Sequence, residues 1–198
     1  MRLDIYKNNR KKTKESGFTL VETLVAVGIL SLSILSTFTT VQSGLQNSTT
    51  AKDQVTAFYF IQDSMEYIKN KRDENALNAV SGISTAWLSG LAADPSDPCY
   101  FGKICRIDSY VGTGPSAVVD CQNDTGNVCQ NLRRDMDSES PTFGLVGYDS
   151  DWTATNFKRE IWFTQNSFDD VLVTIRMSWT SRGVPKTFQV TQLLMNRQ

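Results

Sequence analysis

Histidine is missing from all 198 residues of the chain, and with it the commonest general base and the commonest metal ligand of proteins. The sequence also has no Gly-x-Ser-x-Gly motif and no Cys-x-x-Cys pair. Several carboxylates lie in turn-like contexts with no visible catalytic partner: Asp149, Asp151, Asp169 and Asp170. We therefore predict that the chain is not an enzyme and that it needs no cofactor or metal.

Charged side chains are missing from residues 23–51. This run is rich in leucine, valine and isoleucine, and it is long enough to cross a bilayer as a helix of about 20 residues. One carboxylate, Glu22, stands at its start. An ionised side chain at the centre of a membrane helix costs roughly 2.5–3.5 kcal/mol, and less near an end. The lone carboxylate therefore indicates that a partner neutralises its charge.

Residues 1–17 form a short basic segment, whereas the rest of the chain is mildly acidic. A secretory signal would carry an Ala-x-Ala-like site after its apolar core. No such site follows this run, so a cut before the run would leave it in the mature protein. Basic residues hold their end of a membrane helix in the cytoplasm, which places the bulk of the chain across the membrane. The basic residues are Arg2, Lys7, Arg10, Lys11, Lys12 and Lys14.

The segment from Ser16 to Ala26, SGFTLVETLVA, resembles the class III signal of type IV prepilins and related pseudopilins. The resemblance combines a basic leader, a Gly-Phe pair, a single glutamate and an uninterrupted apolar run. It implies that a prepilin peptidase cleaves after Gly17 and that Phe18 becomes the N-methylated terminus. It also implies that Glu22, fifth in the mature chain, meets the terminal amine of a neighbouring subunit during assembly.

The same resemblance implies a structural role, and we expect a minor pilin of a type IV pilus-like filament. The alternatives are a pseudopilin of a type II secretion or DNA-uptake system, and a binding module displayed on a pilus. The expected partners are the prepilin peptidase, other pilin subunits, the inner-membrane assembly platform and, before assembly, membrane lipid. We expect a single-pass membrane protein that later joins an extracellular pilus or a periplasmic pseudopilus. Nucleic acid is not an expected partner, because the mature chain is acidic.

Proline is absent before Pro95, and the hydrophobic pattern predicts one long helix over residues 18–74. Residues 18–50 would form a membrane-spanning or filament-core half, and residues 51–75 an amphipathic half. The alternative is a break near Gly44–Thr50. The predicted apolar face of the second half is Val55, Phe58, Ile61 or Gln62, Met65 and Ile68, opposite polar positions that include Arg72.

The four cysteines lie in an irregular region, residues 76–150, and their even number in a membrane-anchored chain indicates disulfides. The pattern predicts a hairpin that pairs Ile104–Tyr110 with Ala117–Cys121. Cys105 and Cys121 then lie equally far from the hairpin turn, on opposite strands. Cys99 and Cys129 form a second such pair, centred on almost the same position. We favour these nested bridges; local bridges, Cys99 to Cys105 and Cys121 to Cys129, are the alternative.

Oxygen-bearing side chains follow the hairpin: Asp120, Asn123, Asp124 and Asn127. Their spacing lacks the acidic repeat and final glutamate of an EF-hand loop, so a turn is the simpler interpretation and a calcium site the alternative.

Three alternating segments within residues 157–195 predict an antiparallel meander with one buried face. Its turns would lie at Asn166–Asp170 and Ser181–Lys186. The expected fold is therefore α+β and type IV pilin-like, with a long N-terminal helix packed on a small C-terminal sheet. The extracytoplasmic head would span residues 51–198.

Overall fold

The computed structural model describes residues 17–112, 116–123 and 128–196. The chain divides into two compact units, Met1–Ser48 and Thr49–Gln198. One helix, α1, spans Leu20–Val80, and a 3-10 turn spans Cys121–Asn123. The strands are β1 (Cys105–Ile107), β2 (Val118–Asp120), β3 (Asn131–Arg134), β4 (Val146–Gly147), β5 (Thr153–Gln165), β6 (Asp170–Ser181) and β7 (Val184–Met195). The long-helix prediction is confirmed, and α1 continues past the expected end at residue 74. The alternative with a break near Gly44–Thr50 is wrong, because helical hydrogen bonding is unbroken there.

In the second unit, α1 packs one face against the sheet. The buried side chains of this face include Ile61, Met65 and Ile68, as predicted. Val55 and Phe58 were expected on it but are 54% and 49% exposed. At about 100° per residue, Val55 points about 120° away from Ile61 and Phe58 about 60° away, so the buried stripe runs through Ala57 instead.

The predicted meander is confirmed as β5–β6–β7, but the described sheet has seven strands rather than three. β1 and β3 both pair with the edge of β5 that β6 leaves free, β1 at Ile161 and β3 at residues 153–158. β2 pairs with β1, and β4 pairs with β3. Every pairing in the sheet is antiparallel. The β6–β7 turn consists of Arg182 and Gly183, with φ of 55° and 76°. Two positive φ values in a two-residue loop match the turn whose twist fits a hairpin.

The core lies between α1 and the sheet. Odd-numbered residues of β5 and β6 supply most of its sheet side, as the alternation predicted: Phe157, Ile161, Phe163, Val171, Val173, Ile175, Met177 and Trp179. Leu88 and Leu91 of the loop after α1 are also buried, and Trp87 packs against the same cluster. The loop is therefore part of the wall of the core.

Candidate processing and assembly site

The segment that precedes α1 is a capped helix start. Thr19 is the N-cap residue: its Oγ1 accepts a hydrogen bond from the Glu22 backbone N–H at 3.3 Å, and its carbonyl accepts one from the Thr23 N–H at 3.2 Å. Thr19 and Glu22 have the spacing of a capping box, in which a serine or threonine cap is followed three residues later by a glutamate or glutamine. Gly17 and Phe18 are exposed and precede the helix, so the Gly17–Phe18 peptide bond lies outside it.

Glu22 lies in the first turn of α1 and is exposed. The positive end of the helix dipole favours a carboxylate at this position. Phe18, four residues earlier, has 77% of its surface exposed. The structure thus places Gly17, Phe18 and Glu22 within one short segment at the beginning of the helix.

The large apolar side chains of the first unit are all exposed between Phe18 and Leu45, by 55–77%. An 18-residue window of α1 has a mean hydropathy of 2.0 with none of it buried, so this helix is long and apolar enough to cross a membrane. Its hydroxyl groups bond to carbonyls three or four residues earlier, as Ser31 does to Val27 at 2.8 Å and Ser43 to Thr39 at 3.0 Å. Polar groups satisfied within the helix can enter an apolar environment at a reduced cost.

The cysteines form two local disulfides, Cys99–Cys105 and Cys121–Cys129, so the favoured nested pairing is wrong and the local alternative is the one observed. The hairpin exists, but Cys105 lies opposite Asp120 rather than Cys121. A shift of one residue turns a side chain to the other face of a sheet, so Cys105 and Cys121 cannot face each other. The two bridges are still neighbours, because the Cys129 Sγ lies 3.8 Å from the Cys105 carbonyl oxygen.

Both carboxylate oxygens of Asp120 have partners within the protein. Its Oδ1 accepts a hydrogen bond from the Gln122 N–H at 2.9 Å, and its Oδ2 lies 3.7 Å from the Lys103 Nζ. Asp124 and Asn127 lie outside the described residues, so the calcium alternative is not tested there. Among the described residues, no group of three or more His, Cys, Asp or Glu side chains could hold a metal ion.

A buried arginine that sequence patterns did not single out joins α1 to the sheet. Arg159 of β5 is 2% exposed, and its Nη1 donates to the Phe60 carbonyl at 2.8 Å and to Asp63 Oδ2 at 3.1 Å. Its Nη2 donates to the Ile107 carbonyl. Arg159 shares its parity with Phe157, Ile161 and Phe163, and this parity was the available signal that it faces the core.

Arg72 is a second basic residue that the structure buries. It was placed on the polar face of α1, but it is 6% exposed and lies in the buried stripe of α1, between Ile68 and Asn75. Its Nη2 lies 2.7 Å from Asp73 Oδ1, which keeps the charge paired at the edge of the core.

Residues 12–38 match the family model described as the prokaryotic N-terminal methylation motif. No curated protein and no solved structure matches the chain. The matched segment contains Gly17, Phe18 and Glu22, together with most of the exposed apolar half of α1. The motif indicates a structural protein rather than an enzyme, and it fits anchoring in a membrane, processing by prepilin peptidase and assembly with other pilins. By this motif and by its α+β fold, the chain is a type IV prepilin-like protein.

Proposed function

We propose that the chain is a minor subunit of a type IV pilus-like filament. The observation that carries this proposal is the contrast between its two units. The methylation motif leads into a helix whose apolar side chains are all exposed, whereas the second unit closes its own core. Exposed apolar surface of this extent needs lipid or other helices to cover it. Membrane lipid covers it before assembly, and the helices of other pilin subunits cover it in the filament.

Processing begins at the Gly17–Phe18 bond. The exposed, non-helical backbone there supports peptidase access, because a protease needs an extended strand rather than a helix. Residues 1–17 are removed as a leader, and Phe18 acquires a methylated amine. The basic leader keeps this end in the cytoplasm, and the second unit, with its two disulfides, lies on the oxidising side.

Glu22 acts in assembly through the amine that cleavage creates at Phe18. In the filament core this carboxylate pairs with the N-terminal amine of a neighbouring subunit. Two paired charges offset each other's desolvation, whereas an unpaired buried charge is penalised by several kcal/mol. The pairing therefore fixes the axial register of the subunit, and the assembly platform supplies the work of extraction from the membrane.

The test compares Glu22→Ala with Glu139→Ala, which removes an exposed glutamate far from the motif in the chain. We expect N-terminal mass spectrometry to find N-methyl-Phe18 in both variants, because neither change touches the cleavage bond. Only Glu22→Ala should be lost from sheared filaments. Normal incorporation of Glu22→Ala would refute the role of the carboxylate, and an intact Met1 in the mature protein would refute the processing.

The location of the processed chain separates a minor pilin from a pseudopilin of a type II secretion or DNA-uptake system. We expect the chain in filaments sheared from the cell surface, together with the major subunit. Recovery only from the periplasm or envelope, with surface filaments unaffected by its deletion, would favour the pseudopilin role instead.

A further inference from the structure

A cavity of about 360 Å³ opens in the second unit, outside the matched motif. It lies where the β5–β6 turn and the end of β7 meet the loop that follows α1. Ligand pockets typically begin at about 300 Å³, so this cavity suits a small ligand.

Three aromatic rings and an apolar floor form one part of the cavity. Trp87 and Phe101 come from the loop, and Phe168 comes from the β5–β6 turn. Phe168 is 88% exposed, although it stands beside buried Leu88 and Val171. An aromatic ring displayed at a turn, next to an apolar floor, offers a flat surface for a ligand to stack on.

Polar, uncharged side chains form the other part: Gln165 at the end of β5, Ser167 in the turn and Asn196 after β7. Among the described residues that line the cavity, none carries a charge. Four charged residues adjoin lining residues along the chain: the carboxylates Asp94, Asp169 and Asp170, and one cation, Arg197. The surplus of carboxylates disfavours anions, and the lining offers amide and hydroxyl groups to a neutral ligand.

The walls of the cavity are held in place by hydrogen bonds. The buried Asn75 side chain donates to the carbonyls of Trp87 and Ser89 at 3.1 and 3.0 Å, which fixes the loop on α1. On the other side, the Asn166 and Ser167 N–H groups donate to the Asp170 carbonyl, and the Asn196 N–H donates to the Asp169 carbonyl at 2.8 Å. A wall that is ordered before binding loses little entropy when a ligand enters.

We propose that this cavity binds a neutral saccharide of one or two pyranose rings. A pyranose has apolar C–H faces and hydroxyl edges. Its faces would stack on Trp87 and Phe168, while Gln165, Ser167 and Asn196 would bond its hydroxyl groups. This inference rests on the second unit alone and does not depend on the filament role.

The test uses saturation-transfer-difference NMR on the full chain in a detergent without a sugar headgroup. The probes are glucose, galactose, N-acetylglucosamine and its β1,4-linked disaccharide, with glucose 6-phosphate and cyclohexanol for comparison. We expect saturable transfer to the ring protons of at least one neutral sugar, and weaker binding of glucose 6-phosphate. Phe168→Ala and Gln165→Ala should each weaken that binding about fivefold, the size of one aromatic or polar contact.

Phe143→Ala is the matched control, because Phe143 is also an exposed phenylalanine, at 56%, but it does not line the cavity. It should leave sugar binding unchanged. Phe168 is too exposed for its removal to unfold the protein, which keeps the comparison interpretable. The proposal is overturned if no sugar gives saturable transfer, if only cyclohexanol binds, if the phosphorylated sugar binds more tightly, or if Phe168→Ala binds as well as Phe143→Ala.

Discussion

Arg159 shows how one residue fixes the position of α1 on the sheet. Its guanidinium bonds to a helix carbonyl, a helix carboxylate and a strand carbonyl, so it links α1, β1 and β5 at one point. Ser109 adds a hydrogen bond to the same carboxylate oxygen of Asp63 at 2.7 Å. Apolar packing alone would allow small sliding movements of the helix, whereas directional bonds to three acceptors select one register.

Replacing this arginine should destabilise the second unit. Arg159→Met keeps the apolar volume but removes the hydrogen bonds from the guanidinium to the Phe60 and Ile107 carbonyls, and we expect the free energy of unfolding to fall by about 2–4 kcal/mol. Asp63→Asn should cost less than about 1 kcal/mol, because that side chain is 44% exposed. Urea unfolding followed by tryptophan fluorescence measures both values. If both variants lost the same unfolding free energy, the bonds from Arg159 to the two carbonyls would not be its main contribution to stability.

Tyr148 should lower the stability of the second unit at alkaline pH. Burial raises the pKa of this phenol above its ordinary value of 10.0, against the opposing effect of the nearby Arg159 and Arg106 charges. As the pH rises, the phenol therefore loses its proton at a lower pH in the unfolded chain than in the folded one. The contribution of the buried phenol to stability is complete below pH 10 and is lost as the pH rises through the folded pKa. We expect Tyr148→Phe to flatten the decline of unfolding free energy above pH 10. An unchanged slope would show that Tyr148 does not ionise on unfolding.

At the level of elements, the cysteine hairpin shows what sequence patterns could and could not predict. The pattern located the hairpin correctly, because glycine and proline mark its turn and apolar residues mark its strands. The register differed by one residue, and this difference alone reversed the preferred disulfide pairing. Register is set by contacts with β5, where Cys105 pairs with Ile161, and such long-range contacts are not visible locally.

The other errors also came from long-range contacts. β3 and β4 are too short, at four and two residues, to show a period. β3 is paired with the free edge of β5, and β4 is paired with β3. Arg72 looks like a solvent-facing charge in the sequence, and only the tertiary packing around α1 buries it. By contrast, β5, β6 and β7 are long and alternate clearly, so their pairing could be predicted.

Tryptic mapping without reduction should verify the local disulfides. Cleavage after Lys103 and Arg106 separates Cys99 from Cys105, and it leaves Cys121 and Cys129 together in the peptide 107–133. We expect this peptide to appear alone with an internal bridge, and the peptide that ends at Lys103 to be linked to residues 104–106. Nested pairing would instead join all three peptides in one species, which would contradict the observed bridges.

Each disulfide closes a short loop, with cysteines six and eight residues apart. Loops of this size restrict the unfolded chain by about 2–3 kcal/mol. Replacing Cys121 and Cys129 together by serine should therefore lower the unfolding free energy by about that amount and leave the Cys99–Cys105 bridge intact. The same denaturant titration measures the loss. If the Cys99–Cys105 bridge failed to form in this variant, the two disulfide loops would depend on each other for folding.

At the level of the whole molecule, the two units differ in where their apolar side chains lie. The first unit carries the methylation motif and presents apolar side chains outward, so its stable state requires lipid or partner helices. The second unit buries its own core and contains both disulfides. In the described part of the chain, no side chain before Ala57 is buried. The stability of the second unit should thus be independent of membrane insertion.

This independence can be tested by truncation. A chain of residues 49–198 keeps every described buried side chain, and also the Ser181–Asp53 hydrogen bond at 3.2 Å. We expect it to elute as a monomer without detergent and to unfold cooperatively, whereas residues 18–198 should require detergent. A chain of residues 62–198 is the control, since it loses Ala57 and Ile61, which are 0% and 3% exposed, and should unfold at clearly lower denaturant. Aggregation or gradual unfolding of residues 49–198 would show instead that the apolar half of α1 supports the fold of the second unit.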